Sequence, residues 1–175
     1  MSDASALFLD ASRKTLATWL ERIDKCLDQL TPEQVWWREH QTNNAAGNLV
    51  LHLCGNVRQW IISGVGGALD VRDRDAEFDQ PGPLPKEQLL EKLRATVAEA
   101  DAVLAAVTPG QLSERRRIQV YYDVTVLEAI HHVTEHFAMH AGQILFATKL
   151  LTGRDLGFYR RLSKQRQEAP APGTR

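Results

Sequence analysis

The chain has 175 residues, 25% of them charged, and a formal net charge of −1 at pH 7. That length suits one domain with a proper core, and the near-neutral balance argues against a non-specific nucleic-acid binder, which carries a basic surplus. The one dense basic run, Arg115-Arg116-Arg117, reads as a solvated loop.

Two cysteines, Cys26 and Cys54, fall inside helical patterns without a CxxC partner, which suits free buried thiols in a reducing compartment. A catalytic role for Cys54 is weakened by its spacing from His52, since neighbours two apart leave different faces of a helix. No apolar run reaches the roughly 18 residues of a membrane span. The opening Met-Ser-Asp-Ala-Ser has neither a basic n-region nor a cleavage site, so the expected location is the cytoplasm, with no membrane partner.

In chain order, Leu16, Leu20, Ile23, Leu27 and Leu30 alternate steps of four and three, which predicts an amphipathic helix over about residues 4 to 30. Thr31-Pro32-Glu33-Gln34 stops it and caps a new start, and Thr108-Pro109-Gly110-Gln111 nearly repeats that punctuation. Residues 35 to 43, with Trp36, Trp37 and His40, read as a loop with aromatic anchors. A second helix is expected from Asn43 or Asn44, both good caps, to about Ser63, where Gly64-Val65-Gly66-Gly67 ends it.

The charged, proline-rich stretch from Ala68 to Pro85 is long for a link between antiparallel neighbours and reads as a crossover. Leu90, Leu93, Val97, Ala100, Leu104 and Val107 keep heptad spacing in a third helix, about 86 to 107. Ile118 to Tyr122 is expected as an extended, aromatic loop wall. A fourth helix runs from Asp123 or Thr125 to about Leu151, with Gly153 as C-cap. The fold expected is all-α, a four-helix bundle occupying residues 1–162 without strands, followed by a disordered tail over 163–175.

Chemistry concentrates on two stripes. At roughly 100° per residue, Thr125, Ala129, His132, His136, His140, Gln143 and Ala147 fall within about 40° of His136, bordering a core arc of Val126, Val133 and Ile144. His136 and His140, one turn apart, suit a metal chelate or a pair of hydrogen-bonded, half-buried histidines; the spacing leaves both open. The order is not the His-Glu-x-x-His of a zinc protease, because Phe137 follows His136. On the second helix Ala45, Asn48, Asn56, Gln59 and Ser63 share the face of His52, beside Leu49, Leu53 and Trp60. Amides and a histidine where a solvated face would carry charges suit a polar interior cavity, with His52 as the third donor.

Asn48-Leu49-Val50-Leu51-His52-Leu53, followed by Glu135-His136-Phe137-Ala138-Met139-His140-Ala141-Gly142-Gln143-Ile144, resembles the DinB/YfiT-like family of bacterial helical bundles, over about residues 5 to 160. That family pairs a His on the second helix with His-x-x-x-His on the fourth. Arg58-Gln59-Trp60-Ile61, Gly66-Gly67 and Arg72-Asp73-Arg74 resemble a subgroup signature of undefined function. The resemblance implies an up-down-down-up bundle, homodimers, and a divalent metal on His52, His136 and His140. Zn or Ni leads, with Fe, Co or Mn also suited. His132 would be an outer partner or an extra ligand; His131 and His40 would not bind.

Three imidazoles leave coordination positions open, the arrangement of a catalytic zinc site rather than a closed one. Some members of the resembled family are S-transferases that join low-molecular-weight thiols to electrophiles. The function expected is therefore a metal-dependent thiol S-transferase acting on small electrophiles. Asn48, Asn56, Gln59 and Gln143 would orient ligands, and Tyr121 and Tyr122 would be pocket walls. Arg58 and Arg115 to Arg117 are the candidate partners for a thiol's anionic groups. No residue is assigned as catalytic in its own right. A metal-dependent hydrolase and a non-enzymatic, dimeric metal or small-molecule binding bundle are the alternatives. The hydrolase lacks a clear general base, since Glu135 points about 100° from His136.

Overall fold

The computed structural model describes residues 4–80, 82 and 84–160; the predicted 163–175 tail lies outside them. Within these bounds the chain is mostly helical. Helix α1 (Ala4–Gln29) is followed by the short α2 (Pro32–Val35), α3 (Ala46–Val57), a π-helical continuation of α3 (Arg58–Val65), α4 (Arg74–Asp79), α5 (Lys86–Ala106) and a 3-10 turn (Pro109–Ser113). A hairpin of β1 (Arg115–Ile118) and β2 (Tyr122–Thr125) then leads into α6 (Val126–Thr152). Helix α1 packs on α5 and α6, and α3 packs on the same two.

The core follows the apolar spacing. Leu16, Ile23 and Leu27 of α1 meet Val50, Leu53 and Val57 of α3, Leu89, Leu93 and Leu104 of α5, and Ile130, Val133, Phe137 and Ile144 of α6 in one buried cluster. Both Thr-Pro sequences form capping boxes, each pairing its Thr with a Gln three residues on. Thr125 and Glu128 form a third at the head of α6, and Gly153 closes that helix in the left-handed region at φ 64°.

Several expectations change. The second helix starts at Ala46 behind Ala45, which makes no side-chain cap, so neither Asn43 nor Asn44 serves. Beyond Val57 the helix widens into a π-helix, a form frequent at functional sites. The crossover holds α4, capped by Asp73. The expected loop wall is instead a strand pair: Arg115 to Ile118 face Thr125 to Tyr122 in antiparallel register. Its turn puts Gln119 and Val120 at φ 51° and 58°, a costly conformation for a β-branched residue. Ile118 anchors the hairpin over Gly64, where a Cβ would stand 2.5 Å from Ile118 Cδ1. Trp36 proves the true anchor of its loop: its ring packs against Gly47 and Gly82, and its Nε1 donates to the Leu84 carbonyl at 3.1 Å.

Candidate metal centre

Helices α3 and α6 pack against each other. His52, one turn after Asn48 on α3, is buried. His136 and His140 leave α6 half-buried, on the border of its core stripe of Val133, Phe137 and Ala141. The three rings converge: centroids lie 4.9 Å apart for His52–His136, 4.9 Å for His52–His140 and 4.5 Å for His136–His140. One nitrogen from each falls within 4.8 Å of the others. His52 Nε2 and His136 Nε2 are 3.1 Å apart. Two donors on a tetrahedral ion at about 2.0–2.1 Å would stand about 3.3 Å from each other, so this pair is already near ligand spacing.

The ring nitrogens facing away from the cluster are held by the protein. His52 Nδ1 meets Glu77 Oε2 at 2.9 Å, and His140 Nδ1 meets Gln143 Oε1 at 2.8 Å. A carboxylate and an amide oxygen both accept, which favours a proton on Nδ1 of both rings and an Nε2 bare for a cation. Arg72 Nη2 also lies 3.1 Å from His52 Nδ1, but its proton goes to Glu77 Oε2. His136 Nδ1 is buried without a hydrogen-bond partner among the described residues.

Glu77 reaches His52 because of a glycine. At Gly55, one turn beyond His52, a Cβ would sit 1.7 Å from Glu77 Oε1 and 2.9 Å from Arg72 Nε. The missing side chain lets α4 lay its carboxylate against α3. Arg72 grips that carboxylate from Nε to Oε1 at 2.7 Å and from Nη2 to Oε2 at 2.9 Å, a bidentate pair almost wholly out of water. Asn48 fixes α4 itself. Fully buried, its Nδ2 shares two protons among the carbonyls of Glu77, Phe78 and Gln80, at 3.0, 3.3 and 3.1 Å, and Arg38 Nη2 also reaches the Phe78 carbonyl. Phe78 covers the His52 ring at 4.8 Å.

Charge follows geometry. Burial alone would raise Glu77, but hydrogen bonds from Arg72 and His52 and their Coulombic pull outweigh it and hold the carboxyl below its usual range. Burial lowers His136 to about 3, with His140, His52, His132 and Arg72 adding to the effect. His140 and His132 are lowered too, chiefly by burial. Neutral imidazoles with free lone pairs are what a divalent transition metal binds.

The other residues marked in the sequence take different places. His132 stacks on Trp60 at 4.0 Å and its Nε2 meets Asn56 Nδ2 at 3.4 Å, outside the three-histidine group. Gln59 accepts from Arg72 at 2.9 Å, donates to Asp70 at 2.8 Å and accepts from Gln119 of the hairpin turn. Asn48 and Gln59 thus brace the crossover and its arginine. Tyr122 lies 5.4 Å from Trp60, whereas Tyr121 is 91% exposed at the hairpin turn. His40 and His131 are exposed. The arginines expected to face an anionic ligand are paired elsewhere: Arg58 with Glu99, Arg115 with Asp123 and Arg116 with Glu114. Burial pushes the Cys54 thiol up to about 12 and Cys26 to about 11, so both stay protonated and unreactive.

A family described as a protein of unknown function (DUF1572) matches residues 3–167. The chain belongs to the DUF1572 family. No curated protein matches it. Among solved structures, the DUF1572 chain is similar in fold to the crystal structure of a conserved protein from Enterococcus faecalis, with a TM-score of 0.71 and 20% identity. That match covers 88% of this chain and 100% of the other.

Proposed function

We propose that this DUF1572 protein binds one divalent transition metal, Zn or Ni foremost, through His52, His136 and His140, and that it is a metal-dependent transferase joining a small thiol to an electrophile. The observation that carries the reading is the contact pair at His52 and His140, where Glu77 and Gln143 favour a bare Nε2 beside a half-buried, neutral His136. Three nitrogen donors suit Zn, Ni, Co or Fe better than Mg or Ca. With His132 engaged by Trp60 and Asn56, the set holds three ligands and leaves room for a substrate atom.

A bound divalent ion supplies a lowered pKa for a thiol or water placed on it. The chain's own residues do the rest. Glu77 and Gln143 hold two imidazoles in place, Phe78 shields the His52 ring, and Arg72 keeps Glu77 ionised. Transfer is favoured over hydrolysis because the carboxylate that touches the cluster, Glu77, is committed to His52 and Arg72 and cannot also serve as a free base.

The DinB/YfiT-like resemblance supports the same site, an up-down-down-up order for α1, α3, α5 and α6, and assembly as a homodimer. Free, buried Cys26 and Cys54 suit a reducing cytoplasm, and no described helix is long and apolar enough to cross a membrane. Elemental analysis of purified wild type against His136→Ala, followed by thiol consumption with chlorodinitrobenzene, tests the reading. One metal per wild-type chain, less than a tenth of that in the variant, and metal-dependent thiol loss are expected. Equal metal in both proteins would remove the site, and thiol loss no faster than with His52→Ala would remove the transferase.

A further inference from the structure

Helix α6 carries apolar surface that the core does not use. Met139, Phe146 and Leu150 stay 52%, 70% and 63% exposed, at steps of seven and four. With Trp37, from the segment after α2, they line a groove of about 780 Å³. Two polar side chains of that groove lead to the histidines. Gln143 lines it and accepts from His140 Nδ1. Arg38 lines it and donates from Nη2 to Asn48 Oδ1 at 2.7 Å and to the Phe78 carbonyl at 3.2 Å, next to the residues that seat His52.

Among the described residues the remaining N–H groups of Arg38 have no partner and no carboxylate pairs with it. A guanidinium held in place with unused donors is a receptor for a planar anion. Glu39 also lines the groove, and its charge disfavours a doubly negative phosphate against a single carboxylate. The geometry points to this groove as a substrate site for a small molecule with a carboxylate on Arg38 and an apolar body against Met139, Phe146 and Leu150. Through Gln143 the groove adjoins His140 of the candidate metal centre. Only that last feature rests on the metal reading.

The test uses the full chain, metal-free and zinc-loaded, titrated with 3-phenylpropionate and with its uncharged primary amide, while the amide signals of α6 are followed by NMR. The acid is expected to shift Met139, Gly142 and Phe146 saturably, with the amide at least about tenfold weaker, the scale of one hydrogen bond to a charged group. Arg38→Gln should erase the preference for the acid. Because Arg38 also braces Asn48, Phe146→Asp provides a second variant at an exposed position. It should weaken the acid about tenfold while circular dichroism and zinc uptake stay at wild-type values. Equal binding of acid and amide would overturn the proposal. So would a Phe146→Asp protein that changes only from dimer to monomer, which would assign the face to a second copy of the chain. Failure of zinc uptake with an intact acid titration would sink the metal reading alone.

Discussion

Gly55→Ala opposes two physical effects of opposite sign. Alanine in a helix interior is worth about 1 kcal/mol over glycine, so on propensity alone the variant gains stability. At this position the new Cβ would stand 1.7 Å from Glu77 Oε1, a distance no contact tolerates. Relief requires Glu77 to withdraw from α3, and the pair with Arg72, whose side chains are 4% and 9% exposed, must break or reform in water. Breaking a buried pair costs about 3–5 kcal/mol. Subtracting the propensity gain leaves a net loss of about 2–4 kcal/mol, given that the clashing atom ends a side chain that can move. Withdrawal also takes the acceptor from His52 Nδ1, which should weaken metal binding about 10–100-fold. Urea unfolding of the metal-free proteins and a competitive zinc titration measure the two losses separately. A Gly55→Ala protein as stable as wild type, with unchanged zinc affinity, would refute the claim that this glycine exists to admit Glu77.

Asn48→Ala takes the side-chain donor from the carbonyls of Glu77 and Gln80, while Arg38 still reaches that of Phe78, and should cost about 1–3 kcal/mol in urea unfolding, with weaker zinc binding because α4 carries Glu77. Metal-free protein should lose stability on acidification in a definite window. His136 has its folded-state pKa lowered to about 3, so the unfolded chain takes the proton first; its contribution is complete above about 6.5 and is lost as pH falls toward 3. Melting temperature against pH, compared with a His136→Gln protein, reads that window, and parallel curves for the two proteins would contradict it.

What the sequence reveals of this site and what it hides divide along physical lines. His52, His136 and His140 could be placed because regular helices rotate every side chain by a fixed angle and the apolar partners mark the inward face. The same wheel fails beyond Val57, where the π-helix changes the rotation under Gln59 and Trp60. Glu77 and Arg72 lie in the crossover and in a six-residue helix too short for periodicity, so nothing local singles out Glu77 among the acidic residues around it. The mid-helix Gly55 was the available sign, since a glycine there carries a cost that a close neighbour explains. The hairpin was hidden because Arg115-Arg116-Arg117 shows no alternation and its turn, Gln119-Val120, lacks the glycine or asparagine that positive φ favours. Arg38 reads as an ordinary surface charge until the groove beside α6 is known.

X-ray absorption at the zinc edge of the loaded protein addresses the metal centre most directly. Three imidazole nitrogens at about 2.0–2.1 Å with one or more oxygen donors are expected, falling to two imidazoles in His140→Ala. A first shell containing sulfur, or one unchanged by loss of His140, would contradict a centre built from His52, His136 and His140.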